Sequence, residues 1–402
     1  MDQAPEVEVL TRPGHPDFLD LPWHLPLAEW EHERLVRVAH GVSRHIVRFV
    51  RYDNRIYALK ETDRQRAEAE HRTLRQLRDD GLPVVESVGH IRRRDAEAGV
   101  LVTRYLDFSL PYWYLIGRET QAPTDVLLDA AVVLLVRLHL AGVFWGDSSL
   151  SNILFRRDAG AMMAYLVDAE TAERQPSISD PLRDHDLEIA HENVVGGILD
   201  LQAVGRVPPE VDPVAIADEL ERRYRLLWLE LTRTDRFDAS ERWRIDDRVR
   251  RLHELGFDVE ELTIRTAQQG SVLDIRPTVV EEGHHARLLL QQTGLAVQEN
   301  QARRLLADIE NFRARLEQQD GLPVPAAVGA ARWLAEVYEP LIAAVPPSLR
   351  TRLEPAELFH QLLEHRYLMA ERAGHDVANV DVLADYVATV LEARPDEQHL
   401  LE

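Results

Sequence analysis

Two kinds of side chain in this sequence sit where they could handle a phosphate group. The first is lysine. The chain holds 46 arginines and a single lysine, Lys60. Where only positive charge is needed arginine serves, so a lone lysine marks a position suited to a compact ammonium on a flexible stem. Tyr57-Ala58-Leu59-Lys60 reads as a strand, in which Ala58 and Lys60 share a face. The small Ala58 leaves room for a flat ring against the sheet, and the ammonium reaches phosphates hung from that ring. The next segment, roughly Arg64 to Arg78, has helical spacing. It puts Ala67, Glu70, Leu74 and Leu77 on one buried stripe and Glu68, Arg72 and Arg75 on the polar side. A carboxylate on a buried stripe is costly without a partner. Glu70 is therefore expected to pair with Lys60; the plainer alternative is a boundary glutamate held by a nearby arginine.

The second kind is the short oxygen-bearing side chain. In Gly146-Asp147-Ser148-Ser149-Leu150-Ser151-Asn152 the asparagine follows the aspartate by five positions, and Asp168 ends the apolar strand Tyr165–Val167. If Ile153–Phe155 pairs with that strand, Asn152 and Asp168 emerge side by side at the open end of a hairpin. Two oxygen ligands there suit Mg2+, which takes few protein ligands and fills its shell with phosphate oxygens. Asp147 is placed to accept or orient the proton of an attacking hydroxyl. Each spacing alone is common; the ordered set of Lys60, Glu70, Asp147, Asn152 and Asp168 is far more specific. Upstream, His40-Gly41-Val42-Ser43-Arg44 reads as a turn between strands. Its backbone N–H groups at Gly41, with the Ser43 hydroxyl, are candidates to cradle phosphate; an ordinary hairpin turn is the alternative.

Several elements must position these residues. Residues 1–30 are rich in Pro and Trp and read as irregular. From Leu35 to Leu106 four or five strands and one helix form a small lobe. Thr124 to Ala141 reads as an apolar, N-capped helix closing at Gly142, and helices follow at 184–203 and 213–232. After about residue 251 a hairpin (ELTIRT, VLDIRP) precedes several helices. The expected division is 1–106 for the N-terminal region and small lobe, 107–250 for a large lobe, and 251–402 for a mostly helical C-terminal domain.

The segments YALKE, AEAEHRTLRQL, LVTRYL, LHLAGVFWGDSSLSNILF and YLVDAE resemble the kinase-like superfamily, in its lipopolysaccharide kinase-like branch. The resemblance covers residues 35–170. It implies an α+β, two-lobed protein-kinase-like fold with an additional helical C-terminal domain. It implies ATP and Mg2+ as cofactors: Lys60 on the ATP phosphates, Glu70 fixing Lys60, Asp147 as catalytic base, and Asn152 and Asp168 on the metal. LVTRYL would be the inter-lobe hinge. Asp186 resembles the buried aspartate that braces the catalytic loop; by type it is equally a helix N-cap. Residues 200–402 resemble an uncharacterised domain that follows such segments, which implies no chemistry. The chain departs from the pattern at Trp145, where a histidine is usual, and at Ala169-Glu170, where Phe-Gly is usual.

The resulting expectation is an ATP-dependent phosphotransferase acting on a small-molecule or sugar hydroxyl. The alternative is a nucleotide-binding pseudokinase whose C-terminal domain binds a protein partner; nucleotidyl transfer is a weaker third. With 69 acidic against 47 basic residues and a net charge of −22, the chain is a poor candidate for nucleic acid or anionic membranes. It has no cysteine, so thiolate chemistry and Cys-ligated zinc are excluded. The longest apolar run, Ala130 to Val143, is interrupted by Arg137 and His139 and is too short to span a bilayer. The N-terminus lacks a signal-peptide pattern, and the expected location is cytoplasmic. Lesser signals read plainly: His284-His285 as no metal site, Pro111–Leu115 as inter-lobe core, and Arg92-Arg93-Arg94 as a solvated turn.

Overall fold

A computed structural model describes residues 7–38, 45–93, 97–116, 122–232, 243–244, 246–248, 250, 262–267, 270–275 and 284–400. The small lobe is a six-stranded antiparallel sheet. Its strands are β1 (Val7–Thr11), β2 (Leu35–Val36), β3 (Ile46–Tyr52), β4 (Arg55–Asp63), β5 (Ser87–Arg93) and β6 (Ala98–Arg104), in the order β1-β5-β6-β4-β3-β2. Strand alternation divides β4 between two environments. Tyr57 and Leu59 face an outer layer made by Phe18, Leu21, Trp23, Leu27 and Trp30. Ile56, Ala58 and Lys60 face inward, Ala58 in an apolar patch with Val38, Phe49, Ile56 and Tyr105. The Trp-rich N-terminal segment is thus the cover of the outer sheet face. It is less irregular than expected, because Val7–Thr11 forms an edge strand on β5, with Val9 opposite Ile91.

Helix α1 (Arg64–Asp79) crosses the inner face. Asp63 caps it, accepting the Gln65 N–H at 2.8 Å and the Arg66 N–H at 3.3 Å. Its buried residues are Ala67, Glu70, Leu74 and Leu77, the stripe expected from periodicity. The helix stops at Gly81, at φ +78°, with Leu82 N–H returning to the Leu77 carbonyl.

The large lobe contains β7 (Ser109–Pro111), the short helix α2 (Tyr112–Leu115) and the long apolar helix α3 (Ala122–Leu140). It continues with β8 (Val143–Phe144), β9 (Ile153–Asp158), β10 (Ala161–Leu166), β11 (Glu173–Arg174), α4 (Asp180–Ala203) and α5 (Pro213–Thr232). β9 and β10 pair antiparallel with Leu166 opposite Ile153, and β7 adds to β9. One core runs from α1 through α3, α4 and α5. Two helices start earlier than the sequence suggested. α3 begins at Ala122, which leaves Thr124 inside its first turn. α4 is capped by Ser179, so Asp186 lies in the helix interior and is not an N-cap. Arg92 and Arg93 lie within β5 rather than in a solvated turn: Arg92 pairs with Glu68 and Glu8, and Arg93 with Glu61 at 3.1 Å.

Beyond these lobes, β12 (Leu262–Ala267) and β13 (Gly270–Ile275) form the expected hairpin. Helices α6 (His284–Thr293), α7 (Glu299–Asp320), α8 (Ala326–Trp333), α9 (Glu339–Ala344), α10 (Pro355–Ala373) and α11 (Asn379–Thr389) follow. They enclose two apolar clusters, around Trp333–Phe359 and around Leu358–Tyr386. α8 follows directly on Pro325, which precedes its first residue. His285 is spent on Glu299, at 2.6 Å.

The helical part grips the large lobe at the β9–β10 tip. Asp158 accepts the N–H groups of Asn300 at 3.2 Å and Gln301 at 2.8 Å, at the start of α7. Glu357 accepts the Ala159 N–H at 2.8 Å. Arg156 pairs with Glu354, and Arg157 with Glu397 at 2.9 Å. A final segment returns to the hinge: Phe108 N–H meets the Gln398 carbonyl at 3.2 Å, and His399 lies 3.2 Å from Asp107.

Candidate active site

Lys60 stands at the centre of an acidic cluster. Its Nζ lies 3.0 Å from Glu70 Oε2 and 2.6 Å from Asp168 Oδ2. A third carboxylate, Glu170, approaches it to 3.3 Å. Glu170 is also held by His45 at 2.9 Å and by Arg66 at 2.7 Å. The Ala169 N–H donates to Glu70 at 3.3 Å, tying the segment after β10 to α1. Burial pushes the Glu70 carboxyl up to about 8; the Asp168 carboxylate adds to this and the ammonium opposes it. Burial also opposes the charged forms of Lys60 and Asp168, but Glu70 and then Asp168 raise the lysine, and the ammonium lowers the aspartate.

The second group is the loop after β8. Gly146 has φ +75°, and a Cβ there would lie 3.0 Å from the Phe144 ring and 3.1 Å from the Thr171 carbonyl, so glycine is required before Asp147. Asp147 receives the Asn152 side-chain N–H at 3.2 Å and that of Asn193 at 3.3 Å. Beneath the loop lies Asp186, fully buried. It accepts from Trp145 N–H at 2.7 Å, Gly146 N–H at 3.1 Å and the Ser148 hydroxyl at 3.0 Å. His139 contacts at 3.0 Å the oxygen that also takes the Trp145 N–H, and reaches Tyr224 at 2.6 Å. These bonds overcome burial and hold the Asp186 carboxyl below its usual range.

Backbone contacts join the two groups. Val167 N–H donates to the Asn152 carbonyl at 3.0 Å, and the Trp145 indole N–H to the Asp168 carbonyl at 3.3 Å. Lys60, Glu70 and Asp168 therefore form one cluster, with Asp147 and Asn152 on the loop beside it and Ala58 on the inner sheet face. Gly41 and Ser43 lie outside the described residues. The donor chemistry fits a hard divalent cation. Glu70, Asp168 and Glu170 offer carboxylate oxygens all within 4.8 Å of one another. Three carboxylates approach one ammonium, and Arg66 and His45 share the charge of the third, Glu170.

Residues 40–199 match the lipopolysaccharide kinase (Kdo/WaaP) family. Residues 226–391 match a domain of unknown function, DUF4032. No curated protein matches the chain. One solved structure, "WaaP in complex with acyl carrier protein", is similar at 17% identity and a TM-score of 0.31, over 48% of this chain and 89% of that one.

Within the Kdo/WaaP segment the sequence left four polar residues unread. Glu170 was noted only as a departure from Phe-Gly, yet it sits on Lys60. Arg66, on the polar side of α1, is the residue that turns to meet it. His139 lies inside an apolar helix run, where an isolated histidine is itself a signal that a buried partner exists. Asn193 carries no local signal: its contact with Asp147 spans 46 positions.

Proposed function

We propose that the two lobes carry out ATP- and Mg2+-dependent transfer of a phosphoryl group to a hydroxyl acceptor. The observation that carries this reading is Lys60 held between Glu70 and Asp168, next to a loop that presents Asp147 and Asn152 and is fixed from below by Asp186. In this reading Lys60 holds phosphate oxygens and Glu70 orients its ammonium. Ala58 floors the slot for the flat base. Asp147 takes the hydroxyl proton as the acceptor oxygen bonds to the terminal phosphorus and ADP leaves. Asn152 and Asp168 hold the metal. Magnesium, when bound, neutralises charge on the phosphate oxygens. Most of the rate comes from positioning and charge compensation. ATP as donor puts the reaction in the cytoplasm, and the acceptor is a small molecule or sugar. Among the described residues no helix is long and apolar enough to cross a membrane. We divide the chain at 106 and 250, with residues 251–402 as the domain that would meet a protein partner.

The test is transfer from terminally labelled ATP into a cell extract. A labelled product formed by the wild type and lost in Asp147→Asn supports the reading. No Asp147-dependent label in any fraction overturns it.

A second reading, a nucleotide-binding pseudokinase, has its own observation: Glu170 occupies the lysine where a glycine is usual. Stabilisation by ATP and Mg2+, lost in Lys60→Met and unaccompanied by transfer, favours it.

A further inference from the structure

A basic concavity lies on the side of α1 away from Lys60. Its volume is about 510 Å3, and Arg12, Arg72, Arg75, His71 and His90 line it. In a chain of net charge −22, three guanidinium groups and two imidazoles around one hollow are not an average surface. The acids beside them are Glu68 and Asp79, and Glu68 is already shared between Arg72, at 3.2 Å, and Arg92. Among the described residues the one acid that Arg12 reaches is Glu86, at 3.7 Å. Arg75 is exposed and has no acid partner among the described residues.

The second observation is His90. It is 6% exposed, and neither ring nitrogen has a hydrogen-bond partner among the described residues. An imidazole offers one donor and one acceptor, or two donors when charged. Leaving these buried and unpaired costs about 1–3 kcal/mol. Such a group calls for a missing partner. His71 stands beside it, the rings 5.2 Å apart, with Nδ1 held by the Ser87 hydroxyl at 2.7 Å.

We propose that this hollow binds a small phosphate monoester. Guanidinium forks match phosphate oxygens in pairs, and the unpaired His90 ring lines the same hollow. A carboxylate has two oxygens and one charge, too few for three arginines. A phosphate monoester has three free oxygens and close to two charges. The volume exceeds that of bare phosphate and lies in the range of small-metabolite sites, so a body the size of a sugar fits behind the phosphate. Arg72 and Arg75 lie on the polar side of α1, so the ligand rests on the helix away from the buried stripe that carries Glu70. The site does not depend on the phosphotransferase reading, since none of its residues belongs to the Lys60 cluster.

The test is calorimetric titration of the full chain with glucose 6-phosphate, inorganic phosphate and glucose. Glucose 6-phosphate is expected to bind with a Kd below about 1 mM, phosphate more weakly, and glucose not at all. The double variant Arg12→Gln, Arg75→Gln changes exposed or half-exposed side chains and leaves the fold intact; it is expected to weaken binding at least about tenfold. Lys60→Met is expected to bind as the wild type does. The proposal is overturned if neither phosphate compound binds at about 10 mM. It is equally overturned if binding survives the double arginine variant, or disappears in Lys60→Met, which would place the anion in the nucleotide cleft.

Discussion

The Asp158 carboxylate accepts the Gln301 N–H at 2.8 Å across 143 positions of sequence. A helix normally takes its N-terminal cap from its own chain neighbourhood. α7 has such a local cap, with the Gln301 side chain accepting the Gln298 N–H at 3.2 Å, and adds to it the carboxylate at the tip of the β9–β10 hairpin, whose other end presents Asn152 and Asp168. Replacing Asp158 with alanine strips partners from buried N–H groups of Asn300 and Gln301. The expected loss is about 2 kcal/mol of unfolding free energy, measured by urea denaturation. A midpoint equal to that of the wild type would show that the joint contributes nothing.

The same aspartate gives a pH dependence. Burial pushes its carboxyl up to about 6, against the helix N–H groups that favour the anion. A raised acid binds its proton more tightly in the folded state. The contribution is therefore fully present below the ordinary aspartate range, near pH 4, and is lost as pH rises through about 6. Asp158→Asn keeps an accepting oxygen and removes the titration. The wild type should gain stability relative to Asp158→Asn as pH falls from about 7 to about 5. Parallel curves for the two proteins over that range would contradict the raised carboxyl.

How much of this was readable beforehand depends on the range of the signal. Lys60 and Glu70 were legible because strand and helix periodicity, both local, assign each side chain to a face. Asn152 and Asp168 were legible as a pair because a hairpin relates its two ends by register. Glu170 was not, since nothing local says that a residue two past Asp168 turns back onto Lys60. The grip of Asp158 on α7 was equally invisible: an aspartate before Ala159-Gly160 reads as a turn residue. The strand Val7–Thr11 was missed because five residues of alternation carry little weight without the partner strand. Asp186 was left open between brace and cap, and Ser179 decides it by starting α4 two turns earlier.

Asp186 is the buried keystone under the Asp147 loop. Its four contacts come from Trp145, Gly146, Ser148 and His139. Asp186→Ala leaves those groups buried without an acceptor, at a cost of about 3 kcal/mol or more. Asp186→Asn retains one acceptor oxygen and should cost less. Thermal unfolding ranks the two. If alanine is tolerated as well as asparagine, the loop is held by other contacts, such as the Thr171 hydroxyl on the Trp145 carbonyl at 2.8 Å.

Glu170 competes with any phosphate for Lys60. It lies 3.3 Å from the ammonium and is steadied by His45 and Arg66. An incoming triphosphate must displace this carboxylate or share the lysine with it, and the negative charge also repels the phosphates through a poorly screened cleft. Glu170→Gln removes the charge while keeping shape and hydrogen-bonding capacity. ATP with Mg2+ should then bind more tightly, by about three- to tenfold in Kd, or about 0.7–1.4 kcal/mol. Should Glu170 instead be part of the metal shell, the substitution would weaken binding with Mg2+ present and leave metal-free ATP unaffected. Titrating ATP with and without Mg2+ separates the two: tighter binding in both conditions marks a competitor, and weaker binding confined to Mg2+ marks a ligand.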